Sequence, residues 1–351
     1  MQVPGLHRVQ YTHTGEPGNQ PARLHMIEVH TDADITGRMA PISITPEQAE
    51  ILRRHVIGED PFQRERLFQM LHKGTRWIYQ SPGWFGEFDS CLWYIAGRFA
   101  GLPIHALIGR MRERFPAYLT GGNMDTAGYP AHIESGRDYG VTACKFHSYS
   151  GGKADSPIHH TVRRELDNDY ALISDPVCSY DLREAIEVGR VMEELGFVWL
   201  EVPFHEQNMN QYHELCRVLT MPMIATECVF HDMELTAQWL LQGATDRLRA
   251  RATFGLTQVL KLAELHDTNV ELNGQSGLFG LVHPHVDCCI DNTDYYKYFG
   301  TGNTNNRQQG KIWGLLNAPL IEDGHIAPPE KTGWGAVWDE ERVRKLTVKV
   351  C

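Results

Sequence analysis

Three acidic residues set the chemistry that this chain can perform. Asp175 ends the run YALISD, Glu201 ends VWLE, and Glu227 ends MIATE, each 26 residues after the last. Each acid closes a short apolar, β-branched run, and a helical stretch separates one run from the next. If the runs are parallel strands, equal spacing brings the three carboxylates side by side at the strands' carboxyl ends. Three carboxylates crowded together repel unless a cation lies between them. Their hard oxygen donors suit Mg2+, with Mn2+ as a substitute. The alternative for any single acid is an ordinary helix cap, but three coinciding caps explain the regular spacing less well.

One unit upstream, TACKFH carries Lys145 and His147 two positions apart, so both side chains fall on the same face of a strand. A lysine facing a barrel interior is costly unless it meets an acid or a ligand. Imidazole is the side chain whose ordinary titration lies nearest neutrality. Lys145 and His147 are therefore the candidate acid/base pair. The plainer alternative is a structural ion pair for Lys145 and an ordinary polar role for His147.

The elements that must position these groups begin near residue 116. AYLTG, TACKFH, YALISDP, VWLEVP, MIATE, RLRARAT and VELNG alternate with amphipathic helical stretches such as DLREAIEVGRVMEELGF. Repetition of this length predicts a parallel sheet, and seven or eight units suffice to close a barrel. Residues 1–115 read instead as strands followed by helices. RLHMIEVHT is strand-like, Thr45 and Gln48 form a capping-box signal, and FDSCLWYIAGRFAG shows helical spacing ended by Gly101. An α/β chain is expected: an α+β module over 1–115, a barrel over 116–311, and a Pro/Gly-rich segment over 312–351 returning to the first module.

Composition narrows the function. The 351 residues carry 33 basic and 44 acidic side chains, a formal charge of −11, and no Lys/Arg block. Nucleic acid and anionic membranes are therefore poor partners. No run approaches about 18 consecutive apolar residues, and MQVPGLHRVQ has no apolar signal segment, so a cytoplasmic location is expected. The eight cysteines include no C-x-x-C pair, as expected of a reduced protein without a thiolate zinc site. Cys288, Cys289 and Cys351 read as structural or incidental.

These residues together resemble the enolase superfamily, specifically the mandelate racemase/muconate lactonizing enzyme group, over nearly the whole chain. TACKFH resembles the strand bearing the K-x-K motif, and ISDP, LEVP and ATE resemble the three metal-ligand strand ends. The resemblance implies a modified (β/α)7β TIM barrel under an amino-terminal α+β capping domain. It implies Mg2+ held by Asp175, Glu201 and Glu227, a small-molecule carboxylate substrate that loses its α-proton to a base, and a symmetric homo-oligomer.

The departures from the group bear on the reaction. His147 stands where the second lysine of K-x-K would fall. The group's racemases carry a His–Asp dyad on the sixth and seventh strands. Here Asn273 stands at the histidine position, and Arg249 or Arg251 on the sixth strand. Neither asparagine nor arginine is a ready base, although both can hold a substrate oxygen. With one obvious base, dehydration of an acid sugar or small hydroxy acid to a 2-keto acid fits better than racemisation. The expected enzyme is a carbon–oxygen hydro-lyase; a racemase or epimerase is the alternative, and a non-catalytic ligand-binding barrel a third reading. Asn273 and Arg251 are expected to contact substrate. His283 and His285, in a loop after the seventh strand, are reserve acids, and Trp77 belongs to an aromatic cap loop with Tyr79 and Trp84. His159 and His160 are expected to open a helix and face solvent.

Overall fold

A computed structural model describes all residues except 1–3, 11–20, 168, 230, 253–254, 266–267, 275–276, 301–304 and 351. Cys351 thus lies outside the described residues. The amino-terminal module holds β1 (Pro4–Gln10), β2 (Pro21–His25), β3 (Ile27–His30) and β4 (Thr36–Met39). The helices α1 (Pro46–Val56), α2 (Arg64–Gly74), α3 (Gly86–Ala100) and α4 (Ile104–Ile108) follow. The Thr45–Gln48 capping box forms at the start of α1, and α3 stops at Gly101, which takes a left-handed φ of 70°.

The barrel strands are β5 (Phe115–Thr120), β6 (Ala143–Phe146), β7 (Ala171–Ser174), β8 (Leu200–Glu201), β9 (Met223–Ala225), β10 (Arg247–Ala250), β11 (Asn269–Leu272) and β12 (Tyr296–Phe299). Between them run α5 (Gly128–Arg137), α6 (Gly152–Arg164), α7 (Leu182–Glu194), α8 (Met209–Val218), α9 (Met233–Leu241), α10 (Leu256–Ala263) and α11 (His283–Asp287). The strands pair in parallel in the order β11-β10-β9-β8-β7-β6-β5-β12. The two ends meet where Val270 N–H donates to Asn292 O at 2.8 Å and Asp294 N–H donates to the Glu271 carboxylate. This is the (β/α)7β arrangement. Its eighth strand, β12, is absent from the strand runs read in the sequence.

The tail comprises α12 (Asn306–Trp313), β13 (His325–Ile326), α13 (Glu340–Leu346) and β14 (Thr347–Val350). The boundary expected at 311 falls inside α12. β14 pairs antiparallel with β1, while β13 pairs with the start of β5, so the tail braces both modules. One apolar core runs from Met26, Leu52, Phe88 and Leu92 of the first module through Leu248, Leu256 and Val282 of the barrel to Trp334 of the tail. Trp334 Nε1 donates to Ser90 O, and Gly97 packs so closely on Gly333 that an added Cβ would lie 2.7 Å from its Cα. No helix among the described residues is long and apolar enough to cross a membrane.

His159 departs from expectation. It lies in the middle of α6, fully buried, with Nε2 against Ser148 and Ser174 Oγ at 3.3 and 3.2 Å and its ring stacked on Phe146. Only His160 is exposed. Burial drives the His159 pKa down to about 3. The unfolded chain then binds more protons than the folded one between about pH 6.5 and that value, so this contribution is lost as pH falls. Buried carboxyls such as Glu271, pushed up by burial to about 7, act with the opposite sign. The wild-type advantage in folding free energy over His159→Gln should therefore shrink by up to about 1.4 kcal/mol per pH unit through that window. Denaturant titrations at a series of pH values measure it, and a constant difference would contradict the assignment.

Candidate active site

Side-chain alternation along the strands builds the site in two layers. Tyr118, Ala143, Ile173, Trp199 and Ile224 meet in an apolar plug inside the barrel. Two residues further on, the same faces present Thr120, Lys145, Asp175 and Glu201, all buried. β9 breaks this rhythm. Thr226 adopts a φ of 81°, rare for a β-branched residue, and the turn brings Glu227, three residues beyond Ile224, to the other two acids. One oxygen each from Asp175, Glu201 and Glu227 lies within 4.8 Å of the others. Among the described residues this is the one such cluster. An all-carboxylate donor set of this kind fits a hard dication such as Mg2+.

Two cations balance the acids from within the barrel. Lys145 Nζ donates to Asp175 and, at 2.8 Å, to Glu201. Arg249, fully buried, donates to the other Glu201 oxygen. Burial would raise the Asp175 carboxyl, but Lys145 and His147 hold it well below the usual carboxylate range; Glu201 is lowered against burial by Arg249 and Lys145. Lys145 is thus the ion-paired lysine that its interior position required.

His147 stands one step nearer the rim. Its Nδ1 lies against the Gly121 carbonyl, which assigns the proton to Nδ1. Nε2 lies 3.2 Å from the Asp175 carboxylate, so both ring nitrogens face oxygen acceptors. Asn273 donates Nδ2–H to Glu227 and accepts from Lys297 Nζ at 2.8 Å. Arg251 is half-buried in the field of Glu227 and Glu87.

The remaining candidates sit elsewhere. His283 and His285 belong to α11, not a loop, and both are fully buried. His283 Nδ1 faces Gly274 O while its Nε2 accepts from Ala252 N–H, pinning the end of β10 to that of β11. His285 meets His105 through Nδ1 and Trp334 O through Nε2. All four ring nitrogens are engaged within the protein, and the loop expected for these histidines is a helix. Trp77 is 69% exposed with the Arg76 guanidinium over its ring, whereas Trp84 is buried and donates to Thr75.

Two side chains at or beside this cluster are not apparent in the sequence. Lys297 comes from the unrecognised eighth strand; the alternation of Tyr295, Lys297 and Phe299 against Tyr296 and Tyr298 was its available signal. Glu206 accepts the backbone N–H groups of Thr226, Glu227 and Cys228, holding the left-handed turn that delivers the third acid. Nothing local marks it, because its partners lie some twenty residues downstream.

Comparison with known proteins agrees with this geometry. The family described as "Enolase C-terminal domain-like" matches residues 129–342. A D-galactonate dehydratase family member, RspA, from Cellvibrio japonicus is 23% identical, covering 91% of this chain and 88% of its own. The structure of D-glucarate dehydratase from Agrobacterium tumefaciens, complexed with magnesium, superposes with a TM-score of 0.88 at 25% identity, over 99% of this chain and 98% of that one. A racemase from Streptomyces coelicolor with bound magnesium shares the fold at a TM-score of 0.82 and 17% identity, over 99% of each chain.

Lys145→Met leaves Asp175 and Glu201 short of a buried cation, a change that typically costs about 3–5 kcal/mol. The metal-free variant should melt below wild type, and added Mg2+ should raise its melting temperature by more than it raises that of wild type. Equal melting curves in chelator would show that the pair carries no such weight.

Proposed function

The chain belongs to the enolase C-terminal domain-like family, within the mandelate racemase/muconate lactonizing enzyme group of the enolase superfamily, and on that premise we propose that it dehydrates a hydroxylated carboxylate, an acid sugar by class, to a 2-keto acid. Asp175, Glu201 and Glu227 would hold a Mg2+ ion. When bound, the ion supplies Lewis-acid polarisation of the substrate carboxylate.

His147 takes the proton from the carbon next to the carboxylate. Its Nδ1–H is anchored on Gly121 O, which fixes the ring and leaves Nε2 as the nitrogen that acts as base once it has released its own proton. Lys145, close to that ring and tied to Asp175 and Glu201, adds fixed positive charge where negative charge develops on the carboxylate oxygens. Arg251 and Asn273 line the far wall and orient substrate hydroxyls.

The observation that carries this reading is the far wall itself. Opposite His147, the sixth and seventh barrel strands present Arg249, Arg251 and Asn273, none of them a proton acceptor near neutral pH. Inversion at the α-carbon needs a second acid/base on that side, whereas β-elimination does not. The names of the dehydratase relatives support the same choice at low identity. The racemase likeness concerns the fold and favours neither reaction.

A screen of aldonic, aldaric and small hydroxy acids with Mg2+, read by formation of 2-keto acids, tests the proposal. A 2-keto product is expected, with turnover reduced about 10²–10⁴-fold in His147→Asn. Recovery of inverted substrate bearing solvent deuterium, with no keto acid, would establish the racemase alternative instead. Near-normal turnover in His147→Asn would remove that residue from the base role.

A further inference from the structure

Lys297 is a buried charge that the fold does not explain. It is 4% exposed, and among the described residues no carboxylate lies within ion-pairing distance of its Nζ. Its recorded hydrogen bond goes to a neutral acceptor, Asn273 Oδ1, at 2.8 Å, and Nζ lies 5.3 Å from the centre of the Phe299 ring. Barrel interiors rarely keep a lysine on such terms unless it serves a ligand. The side chain reaches the reacting region: through Asn273 it stands two hydrogen bonds from the carboxylate of Glu227. Burial, with Lys145 next and Arg249 also contributing, lowers its pKa to about 7 against the pull of Glu201 and Glu227, within reach of both protonation states near neutrality.

Its position relative to His147 suits one task. β6, which precedes His147, and β12, which carries Lys297, flank β5. The strands that carry the two groups thus stand about a quarter-turn apart around an eight-stranded barrel, and the Lys297 ammonium reaches across to Asn273 on the wall facing His147. Two neighbouring carbons, one losing a proton and the other a hydroxyl, match that disposition.

We infer that Lys297 is a catalytic residue of the elimination, donating the proton that lets the β-hydroxyl leave as water; this rests on the dehydratase reading above. As His147 takes the α-proton, the C–H electron pair becomes the new carbon–carbon double bond. The C–O bond breaks with its pair on oxygen, which takes the Lys297 proton. The products are water and an enol, which becomes the 2-keto acid by losing its hydroxyl proton and gaining one at the neighbouring carbon. His147 ends protonated and Lys297 neutral, and exchange with solvent restores both without any redox partner.

The test compares wild type with Lys297→Met and Lys297→Gln on the best acid-sugar substrate and on its β-fluoro counterpart, whose fluoride leaves without a proton. Water loss should fall at least about 10²-fold in both variants, while fluoride loss stays within a few-fold of wild type. Mg2+ alone, titrated by calorimetry, should bind the variants at least as tightly, because a cation has been removed near Glu201 and Glu227; this also confirms that the site is folded. Wild-type rates of water loss in either variant, or equal losses on both substrates, would overturn the role. Should one variant fail to bind Mg2+, the other decides. If wild type dehydrates no acid sugar, the dehydratase reading fails first, before any variant is made.

Discussion

Three carboxylates gathered inside a barrel are the constraint from which the rest of this structure follows. Asp175 and Glu201 are buried and Glu227 half-buried where they converge, so water screens their mutual repulsion poorly. The chain answers with Lys145 and Arg249, bonded directly to two of the three acids, which offsets part of their negative charge. Beneath this charged ring, Tyr118, Ile173, Trp199 and Ile224 pack into an apolar cluster inside the barrel. The low-dielectric surroundings that make the acids costly also strengthen whatever field they and their cations create, which is the condition catalysis on a carboxylate requires.

The constraint reaches into the backbone. Left-handed residues follow each strand that delivers one of the three acids: Val177 and Cys178 after Asp175, Val202 after Glu201, and Thr226 before Glu227. Such conformations persist only where neighbours hold them. At Thr226 the holding groups are visible. Glu206 binds three successive N–H groups, and Thr226 Oγ1 is hydrogen-bonded with both N–H and C=O of Arg249. The amino-terminal module adds to this from above: Gly83 N–H donates to His231 O, Ser90 Oγ to Ala252 O, and Asp89 accepts from Thr257. The loops that carry chemistry are fixed from both sides.

Much of this was legible in the sequence because it depends on local periodicity. The 26-residue spacing of the acids, the Lys145/His147 alternation, the Thr45–Gln48 box and the Gly101 stop each express a rule that spans a few residues or one repeat. What stayed hidden depends on contacts between distant segments. β12 escaped notice because YKYF has tyrosines where aliphatic residues mark the other strands, and its lysine looks solvated until the barrel closes around it. His159 shows the converse, a polar residue whose neighbours Ser148 and Ser174 arrive from two other strand ends. The paired histidines after β11 have the composition of a site and the bonding of a brace. Residue type alone does not distinguish the two.

The pairing of β1 with β14 has a consequence for the order of assembly. Pro4 aligns with Val350, so β1, which pairs with β2 on one side, gains its other neighbour only from a segment far along the chain. The barrel can assemble progressively behind it, since each of its strands from β6 to β11 follows its neighbour in order. The β1–β2 pair instead keeps one edge open until β14 is in place. Until then an assembled barrel stands beside an unfinished sheet, and β14 acts as the clasp.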